Sequence, residues 1–115
     1  MPALNYKKQF AAKVESGEKR STIRAQRKRP IRQGDRLYHY TGMRTQRCRK
    51  LLETNAEQVA CIFIDDDVIN IDGETLLPYA IAELARGDGF ANIGEFKDFF
   101  RTTHGLPFVG QLIEW

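Results

Sequence analysis

The sequence predicts one α+β domain over residues 1–115, in which short strands form a partly closed β-barrel flanked by about three helices. Three observations support this fold class. The chain has 115 residues, of which 42% are hydrophobic, and this length allows one well-packed core but not two. Short runs of alternating or β-branched residues recur between turn signals. A few longer segments place apolar residues at helical spacing instead.

The first half of the chain contains one predicted helix and three predicted strands. Phe10, Ala11 and Val14 recur at helical spacing, and Gly17 follows as a residue suited to end a helix. A helix is therefore expected from about residue 4 to residue 16. The strands are expected at residues 22–24, 37–41 and 48–52, separated by a basic loop at 26–32, a turn at 33–35 and a glycine at 42.

The second half of the chain contains three predicted strands and two predicted helices. Residues 58–64 are rich in β-branched side chains, and three aspartates at 65–67 follow them as a solvated hairpin tip. Short strands wrapped by a few helices favour a partly closed barrel over a parallel doubly wound sheet. The strands are expected at residues 58–64, 68–71 and 108–115, and the helices at 76–85 and 93–102.

Composition limits the classes of function. The N-terminus has no apolar stretch of the kind found in signal peptides, and the longest apolar run, residues 59–64, is too short to span a bilayer. Cys48 and Cys61 lack metal-type spacing, and His39 and His104 are isolated in the sequence, so no metal and no other cofactor are expected. We expect a cytoplasmic protein with two free thiols, in which Cys48 is a small buried hydrophobe rather than a nucleophile.

Charge is distributed unevenly along the chain. Residues 1–50 contain 15 Lys and Arg against 3 Asp and Glu, whereas residues 51–115 contain 3 against 12. Between Lys19 and Lys50, twelve cations meet a single acid, Asp35. Such a density suits a polyanion, and arginine, the commoner cation in this segment, forms bidentate bonds to phosphate. The segment from Arg24 to Lys50 therefore predicts contact with RNA or a nucleotide phosphate, with a solvated charged face as the alternative.

The segment Gly17-Glu18-Lys19-Arg20-Ser21-Thr22-Ile23-Arg24 places an amine, a hydroxyl and a guanidinium within six residues. In an extended strand Thr22 and Arg24 share a face, and Ile23 opposes them. Lys19 lies at the bend before the strand, where its long stem can reach back over Thr22. A hydroxyl next to a lysine is one way to build an activated nucleophile. The alternative interpretation is a solvated basic turn between a helix and a strand.

Six short motifs follow one another along nearly the whole chain, and their order and spacing resemble those of the ASCH superfamily of PUA-like β-barrel domains. The resemblance implies a single PUA-like domain over residues 1–115. The motifs are the N-terminal helix with Ser16-Gly17-Glu18-Lys19, then Thr22-Ile23-Arg24, Gly34-Asp35-Arg36-Leu37, Thr41-Gly42, Asp88-Gly89-Phe90 before Glu95-Phe96, and the closing Gly110-Gln111-Leu112-Ile113-Glu114-Trp115.

By its size and its Lys-x-x-Thr-x-Arg run, the chain is similar to the small bacterial N4-acetylcytidine amidohydrolases of that superfamily. The resemblance implies a hydrolase that removes the acyl group from N4-acylated cytosine nucleosides, giving cytidine and acetate from N4-acetylcytidine. It implies Lys19 as the proton acceptor, Thr22 as the nucleophile and Asp88 as the proton donor, where those enzymes have a glutamate. Glu83 is the alternative acid. The substrate-binding residues expected beside them are Arg24, Arg20, Phe90 and Tyr40.

The chemistry supports the same set independently of the resemblance. A threonine hydroxyl is a weak nucleophile unless a base is near, and a lysine is a base only when its pKa falls below the free value of about 10.4. Burial and neighbouring cations such as Arg20 and Arg24 lower a lysine pKa. An acid brought in by folding can protonate the departing amine, and Arg24 can orient the substrate carbonyl or the oxyanion.

Structural interpretations stand beside the catalytic ones. Lys19 and Asp88 can form a simple ion pair, Thr22 can serve as a strand former, and aromatic side chains such as those of Tyr40 and Phe90 can pack rather than stack on a base. A non-catalytic RNA-binding ASCH module and a single-strand ribonuclease are the alternative functions. A nucleoside enzyme needs the compact triad and little distributed charge, whereas a polymer binder needs the charge and tolerates loss of Thr22. The amidohydrolase is the primary prediction.

Overall fold

Two β-sheets and three helices make up the chain in the computed structural model, which describes residues 2–115. The predicted α+β class with about three helices is confirmed. The elements are β1 (Ala3–Tyr6), α1 (Lys8–Ser16), β2 (Ser21–Ala25), β3 (Arg36–Thr41), β4 (Arg49–Asn55), β5 (Gln58–Ile64), β6 (Ile69–Ile71), β7 (Glu74–Thr75), α2 (Pro78–Gly87), α3 (Ile93–Thr103) and β8 (Phe108–Glu114).

The strands divide into two separate sheets. In the three-stranded sheet β1 lies parallel to β3, and β3 lies antiparallel to β4. The five-stranded sheet has the order β2-β8-β5-β6-β7, and its neighbouring strands are antiparallel. Within residues 2–115 no closed barrel forms, because β2 and β4 are edge strands and no ladder joins the two sheets. The strand β8, last in the sequence, holds β2 in place along its whole length.

One hydrophobic core joins the sheets to the helices. The amphipathic helix α3 supplies Phe96 and Phe100, which are fully buried, and burying a side chain of this size contributes about 1.5–3 kcal/mol. Phe90 packs edge-to-face on Phe96 with ring centroids 5.5 Å apart, and Phe100 lies 5.2 Å from Phe108 of β8. These contacts fix α3 against the second sheet, so that its inner face becomes a wall of the cavity described below.

The N-terminal helix begins later than the sequence predicts. Residues 4–6 belong to β1 rather than to the helix, which starts at Lys8. Leu4 and Tyr6 are buried while Asn5 between them is exposed, and this two-residue period is that of a strand. Pairing with β3 in the parallel sheet overrides the helical spacing that continues from Phe10 onward. In β1, Tyr6 lies on the buried face of the strand, and its side chain lines the candidate cavity.

The remaining elements lie at or near their expected positions. β5 has the predicted bounds and α3 begins at the predicted residue, whereas α2 starts two residues later than expected. Pro78 explains this shift, since proline suits the first position of a helix. The two-residue strand β7 was not expected. No helix within residues 2–115 is both long enough and apolar enough to cross a lipid bilayer.

Both cysteines are free and exposed. The expectation that Cys48 is a buried hydrophobe is wrong, because β4 begins only at Arg49 and Cys48 lies in the preceding exposed turn. Cys61 alternates with the buried Ile62 along β5 and so faces outward.

Candidate active site

A cavity of about 230 Å³ lies between α1, β2, α3 and the turn after α2. It brings together residues from both ends of the sequence. Lys19, Thr22 and Asp88 line it, and their exposed fractions are only 3%, 4% and 3%. The other lining residues are Asn5, Tyr6, Lys7, Phe10, Ile23, Arg24, Ala25, Phe90, Phe99, Phe100, Thr103 and His104.

Lys19 and Asp88 form a buried ion pair in the lining of the cavity. Lys19 Nζ lies 2.7 Å from Asp88 Oδ1 and also donates a hydrogen bond to the Asp88 carbonyl oxygen. The lysine amine lies 5.1 Å from the centre of the Phe10 ring and 5.8 Å from that of Tyr6. Aromatic faces therefore replace water as the remaining neighbours of the cation. The ion-pair interpretation of these two residues is thus confirmed as a contact.

Local backbone geometry sets the position of this pair. Gly17 ends α1 in the left-handed conformation, with φ of 84°, and turns the chain toward β2. The Lys19 amide then donates to the Lys13 carbonyl, 2.9 Å away. The Arg20 amide donates to the Gly87 carbonyl at 3.0 Å, which ties the bend to the end of α2. Asp88 is thereby held next to Lys19 although 69 residues separate them in the sequence.

Gly89 allows close approach at the other side of the pair. Its φ is +95°, and an added Cβ would lie 3.1 Å from Phe10 Cδ1 and 3.2 Å from Lys19 Cδ. The Gly89 carbonyl accepts a hydrogen bond from Lys13 Nζ at 2.8 Å. Glycine is therefore favoured at this position of the Asp88-Gly89-Phe90 motif for two physical reasons. The backbone is left-handed there, and a side chain would crowd the Lys19 stem.

Thr22 and Arg24 share the cavity face of β2, as strand alternation predicts. Arg24 Nε donates to Thr22 Oγ1 at 2.9 Å, and the guanidinium carbon lies 4.8 Å from the centre of the Tyr6 ring. The threonine oxygen thus accepts from a cation, and its hydroxyl also lies within hydrogen-bond reach of Tyr6. Burial lowers the pKa of Arg24 from its ordinary value, and the neighbouring Tyr6 and Asp88 raise it in part.

Burial shifts the pKa values of Lys19 and Asp88 toward their neutral forms. It raises the pKa of Asp88 to about 6, although Lys19 and Arg24 oppose the rise. It lowers the pKa of Lys19, although Asp88 opposes the fall. Moving one proton from the amine to the carboxylate would leave both groups neutral in a dry site. Burial therefore favours the neutral form of each group, and the contact between the two groups opposes this effect.

A chain of hydrogen bonds extends from Tyr6, in the cavity lining, through His39 to Thr54. Tyr6 Oη is hydrogen-bonded to His39 Nδ1 at 2.9 Å, and His39 Nε2 to Thr54 Oγ1 at 2.8 Å. Burial, together with the charges of Arg24 and Lys19, lowers the pKa of His39 to about 4. The ring is thus neutral at pH 7, with one donor and one acceptor nitrogen. Burial also raises the pKa of Tyr6 above its ordinary value.

The remaining predicted site residues do not share one location. Phe90 lines the cavity and packs edge-to-face on Phe10, with centroids 5.3 Å apart. Arg20 and Glu83 instead line a second cavity that borders the other face of β2. Tyr40, half-buried in β3, is among the lining residues of neither. Asp88 is therefore the acid that the fold brings to Lys19, and Glu83 is not.

Sequence reasoning missed Tyr6, His39 and several other residues that line the cavity, among them Lys7 and His104. The alternation of Leu4 and Tyr6 is the signal for Tyr6, but it is short and merges with the helical spacing that follows. His39 could have been placed from its position two residues after Leu37 on the buried face of the predicted strand. Lys7, just before α1, and His104, just after α3, carry no signal, because only tertiary packing brings them to the same cavity.

The arrangement contains the groups that acyl transfer requires. A hydroxyl, an amine, a carboxyl group and a guanidinium converge on one cavity that excludes most water. Over residues 2–115 no group of three or more His, Cys, Asp or Glu side chains could hold a metal ion. No family model matches the chain, and no match is found among the curated proteins or the solved structures.

Proposed function

We propose that this chain is an amidohydrolase that removes the acyl group from N4-acylated cytosine nucleosides. One observation carries the proposal: Lys19, Thr22 and Asp88 line the same buried cavity, and Lys19 is bonded to Asp88. The resemblance of the sequence motifs to the ASCH superfamily supports the substrate class and a PUA-like ancestry of the fold. A cytoplasmic location agrees with a nucleoside substrate and two free thiols.

The first half of the reaction transfers the acyl group to the protein. Thr22 Oγ1 attacks the amide carbonyl carbon while its proton passes to the neutral Lys19 amine. The carbonyl oxygen becomes an oxyanion, which the Arg24 guanidinium stabilises. The bond from carbon to N4 then breaks, and the protonated Asp88 carboxyl gives its proton to N4. Cytidine leaves as the free amine, and an acyl ester of Thr22 remains.

The second half of the reaction restores the protein with water. A water molecule adds to the ester carbonyl carbon and gives a proton to the Asp88 carboxylate. The bond from carbon to Thr22 Oγ1 breaks, and the Lys19 ammonium returns a proton to this oxygen. The carboxylic acid leaves and ionises in solution. Lys19 and Asp88 thereby recover the neutral forms with which the cycle began.

Turnover of N4-acetylcytidine tests the proposal. We expect release of cytidine and acetate by the unaltered protein and loss of turnover in Lys19→Ala, Thr22→Ala and Asp88→Ala. Thr22→Ser should retain part of the activity, because it keeps a hydroxyl at the same position. Thr102→Ala is the matched control, since Thr102 is an exposed threonine of α3 that does not line the cavity. Turnover that survives Thr22→Ala would exclude the threonine nucleophile.

RNA binding is the second candidate function, and the exposed loop after β2 favours it. Arg27, Lys28 and Arg29 are all exposed and carry no ion pair with any residue in 2–115. The loop follows Ala25, which lines the cavity, so a polymer bound to the loop would lie next to the cavity. Salt-sensitive RNA binding without turnover of the nucleoside would favour the binding module over the enzyme.

A further inference from the structure

A second cavity, of about 370 Å³, borders the opposite face of β2. The two cavities adjoin at the start of β2, where Ser21 lines the second and Thr22 lines the first. Gly87, next to Asp88, lines the second cavity as well. Its apolar wall is aliphatic and is formed by Ile71, Leu76, Ala80, Leu84 and Leu112.

Ser21 Oγ is buried and has no hydrogen-bond partner among residues 2–115. The side chain is 6% exposed, so bulk water does not compensate the hydroxyl. A buried hydroxyl without a partner costs free energy and is rare in native proteins. Gly87 has no side chain and leaves space next to this oxygen, since a Cβ added there would lie 3.7 Å from it. A ligand in the second cavity would supply the missing hydrogen bond.

Three charged side chains surround the same cavity. Glu114 pairs with Ser21 across the β2–β8 ladder, so both side chains project from the same face of the sheet. Arg20 precedes Ser21, and Glu83 faces them from α2. Within residues 2–115, none of the three takes part in an ion pair or a side-chain hydrogen bond. Glu114 is nevertheless half-buried.

We propose that the second cavity binds a small aliphatic α-amino acid. Its ammonium group would lie between the Glu114 carboxylate and Ser21 Oγ, and its carboxylate would accept from the Arg20 guanidinium. Its side chain would pack on Leu84 and Leu112. A zwitterion matches a rim that carries both signs of charge, and an aliphatic side chain matches a wall that contains no aromatic residue among those lining it.

Titration with three related compounds tests this site independently of any hydrolase activity. L-leucine carries all three groups, 4-methylpentanoate lacks the amine, and 3-methylbutylamine lacks the carboxylate. We expect leucine to shift the backbone amide resonances of Ser21 and Gly87 in a ¹H–¹⁵N spectrum, with affinity at least about 10-fold higher than that of either analogue. Equal binding of 3-methylbutylamine would overturn the assignment in favour of a simple cation site.

Variants of the polar residues that line the second cavity, Arg20, Ser21 and Glu114, complete the test. Arg20→Gln and Glu114→Gln should each weaken leucine binding by about 10-fold or more. Ser21→Ala should weaken it further in combination with Glu114→Gln. The matched controls are Arg86→Gln and Glu74→Gln, which remove exposed charges that do not line the cavity. Absence of any shift with leucine, or shifts that survive both rim variants, would overturn the proposal.

Discussion

Lys19 Nζ lies 2.7 Å from Asp88 Oδ1, and both side chains are almost fully buried. Removing one partner leaves the other without compensation in a dry site. We expect Lys19→Met and Asp88→Leu each to lower the free energy of unfolding by about 3 kcal/mol. The double variant should lose much less than the sum, because neither charge then remains buried. Urea denaturation of all four proteins measures this coupling, and additive losses would show that the pair contributes no specific interaction.

The pKa of Asp88 gives stability a defined dependence on pH. Burial raises this pKa from 3.8 to about 6, so the folded state holds the proton more tightly than the unfolded state. The resulting stabilisation is complete below pH 3.8 and is lost as the pH rises through about 6. It amounts to about 3 kcal/mol, at about 1.36 kcal/mol for each pKa unit.

The variant Asp88→Asn isolates this effect. The unfolding free energy of the unaltered protein, minus that of Asp88→Asn, should fall between pH 4 and pH 7. Lys19 contributes with the opposite sign at alkaline pH, since its lowered pKa makes stability rise toward pH 10.5. A difference that stays constant from pH 4 to pH 7 would contradict the raised pKa of Asp88.

Local sequence patterns predicted one side of the candidate site but not its supporting layer. Thr22 and Arg24 share a face because strand alternation is a local property, which the run of residues 22–24 displays. The contact of Lys19 with Asp88 depends on how α1, β2 and α2 meet, and only the resemblance to a family indicated it. The hydrogen bond of Tyr6 to His39 required β1 to be recognised as a strand. The residues of β1 form a strand because they pair in parallel with β3, which lies 35 residues further along the chain.

Local sequence patterns did not predict the two-sheet arrangement either, because it also depends on long-range strand pairing. The lengths of β5 and α3 follow from β-branched runs and helical spacing, and both were predicted well. Which strands pair is set by long-range burial: β8 lies between β2 and β5 because its buried residues fit both neighbours. A pattern of short strands is compatible with a barrel or with two sheets, and only the pairing distinguishes them.

Substitution of Gly89 should disturb the cavity more than substitution of a comparable glycine. Gly89 and Gly73 both have φ near +90°, but only Gly89 is surrounded, by Phe10 and the Lys19 stem. We expect Gly73→Ala to cost about 1 kcal/mol from backbone strain alone. Gly89→Ala should cost at least about 1 kcal/mol more, because its Cβ requires movement of packed neighbours. Chemical denaturation compares the two, and equal losses would show that the space around Gly89 is not restrictive.

The hydroxyl of Tyr6 should stabilise the fold through His39. Tyr6→Phe keeps the ring beneath Arg24 but leaves His39 Nδ1 without its partner at 2.9 Å. We expect a loss of about 1–3 kcal/mol, the usual result of leaving one buried polar group unpaired. Thr41→Val, which removes a half-buried hydroxyl bonded to the Tyr6 carbonyl, is a control for general loss of a hydrogen bond. A smaller effect in Tyr6→Phe than in Thr41→Val would argue against a stabilising chain.

The basic loop after β2 should separate the two candidate functions. Arg27, Lys28 and Arg29 are exposed and are not among the residues lining the first cavity, so replacing all three by glutamine should leave turnover of a free nucleoside unchanged. If the loop binds RNA, the same variant should bind single-stranded RNA more weakly and with a flatter dependence on salt. The log–log slope should fall by about 0.7 for each phosphate that the variant no longer neutralises.

Fluorescence anisotropy with a labelled oligonucleotide at several salt concentrations measures that slope. The matched control replaces three exposed cations elsewhere, Arg86, Lys8 and Arg101, which keeps the net charge equal between the two variants. Equal weakening in both variants would mean that RNA responds only to overall charge. An unchanged slope in the loop variant would leave these three cations as a solvated face, and cleavage of the oligonucleotide would indicate a ribonuclease instead.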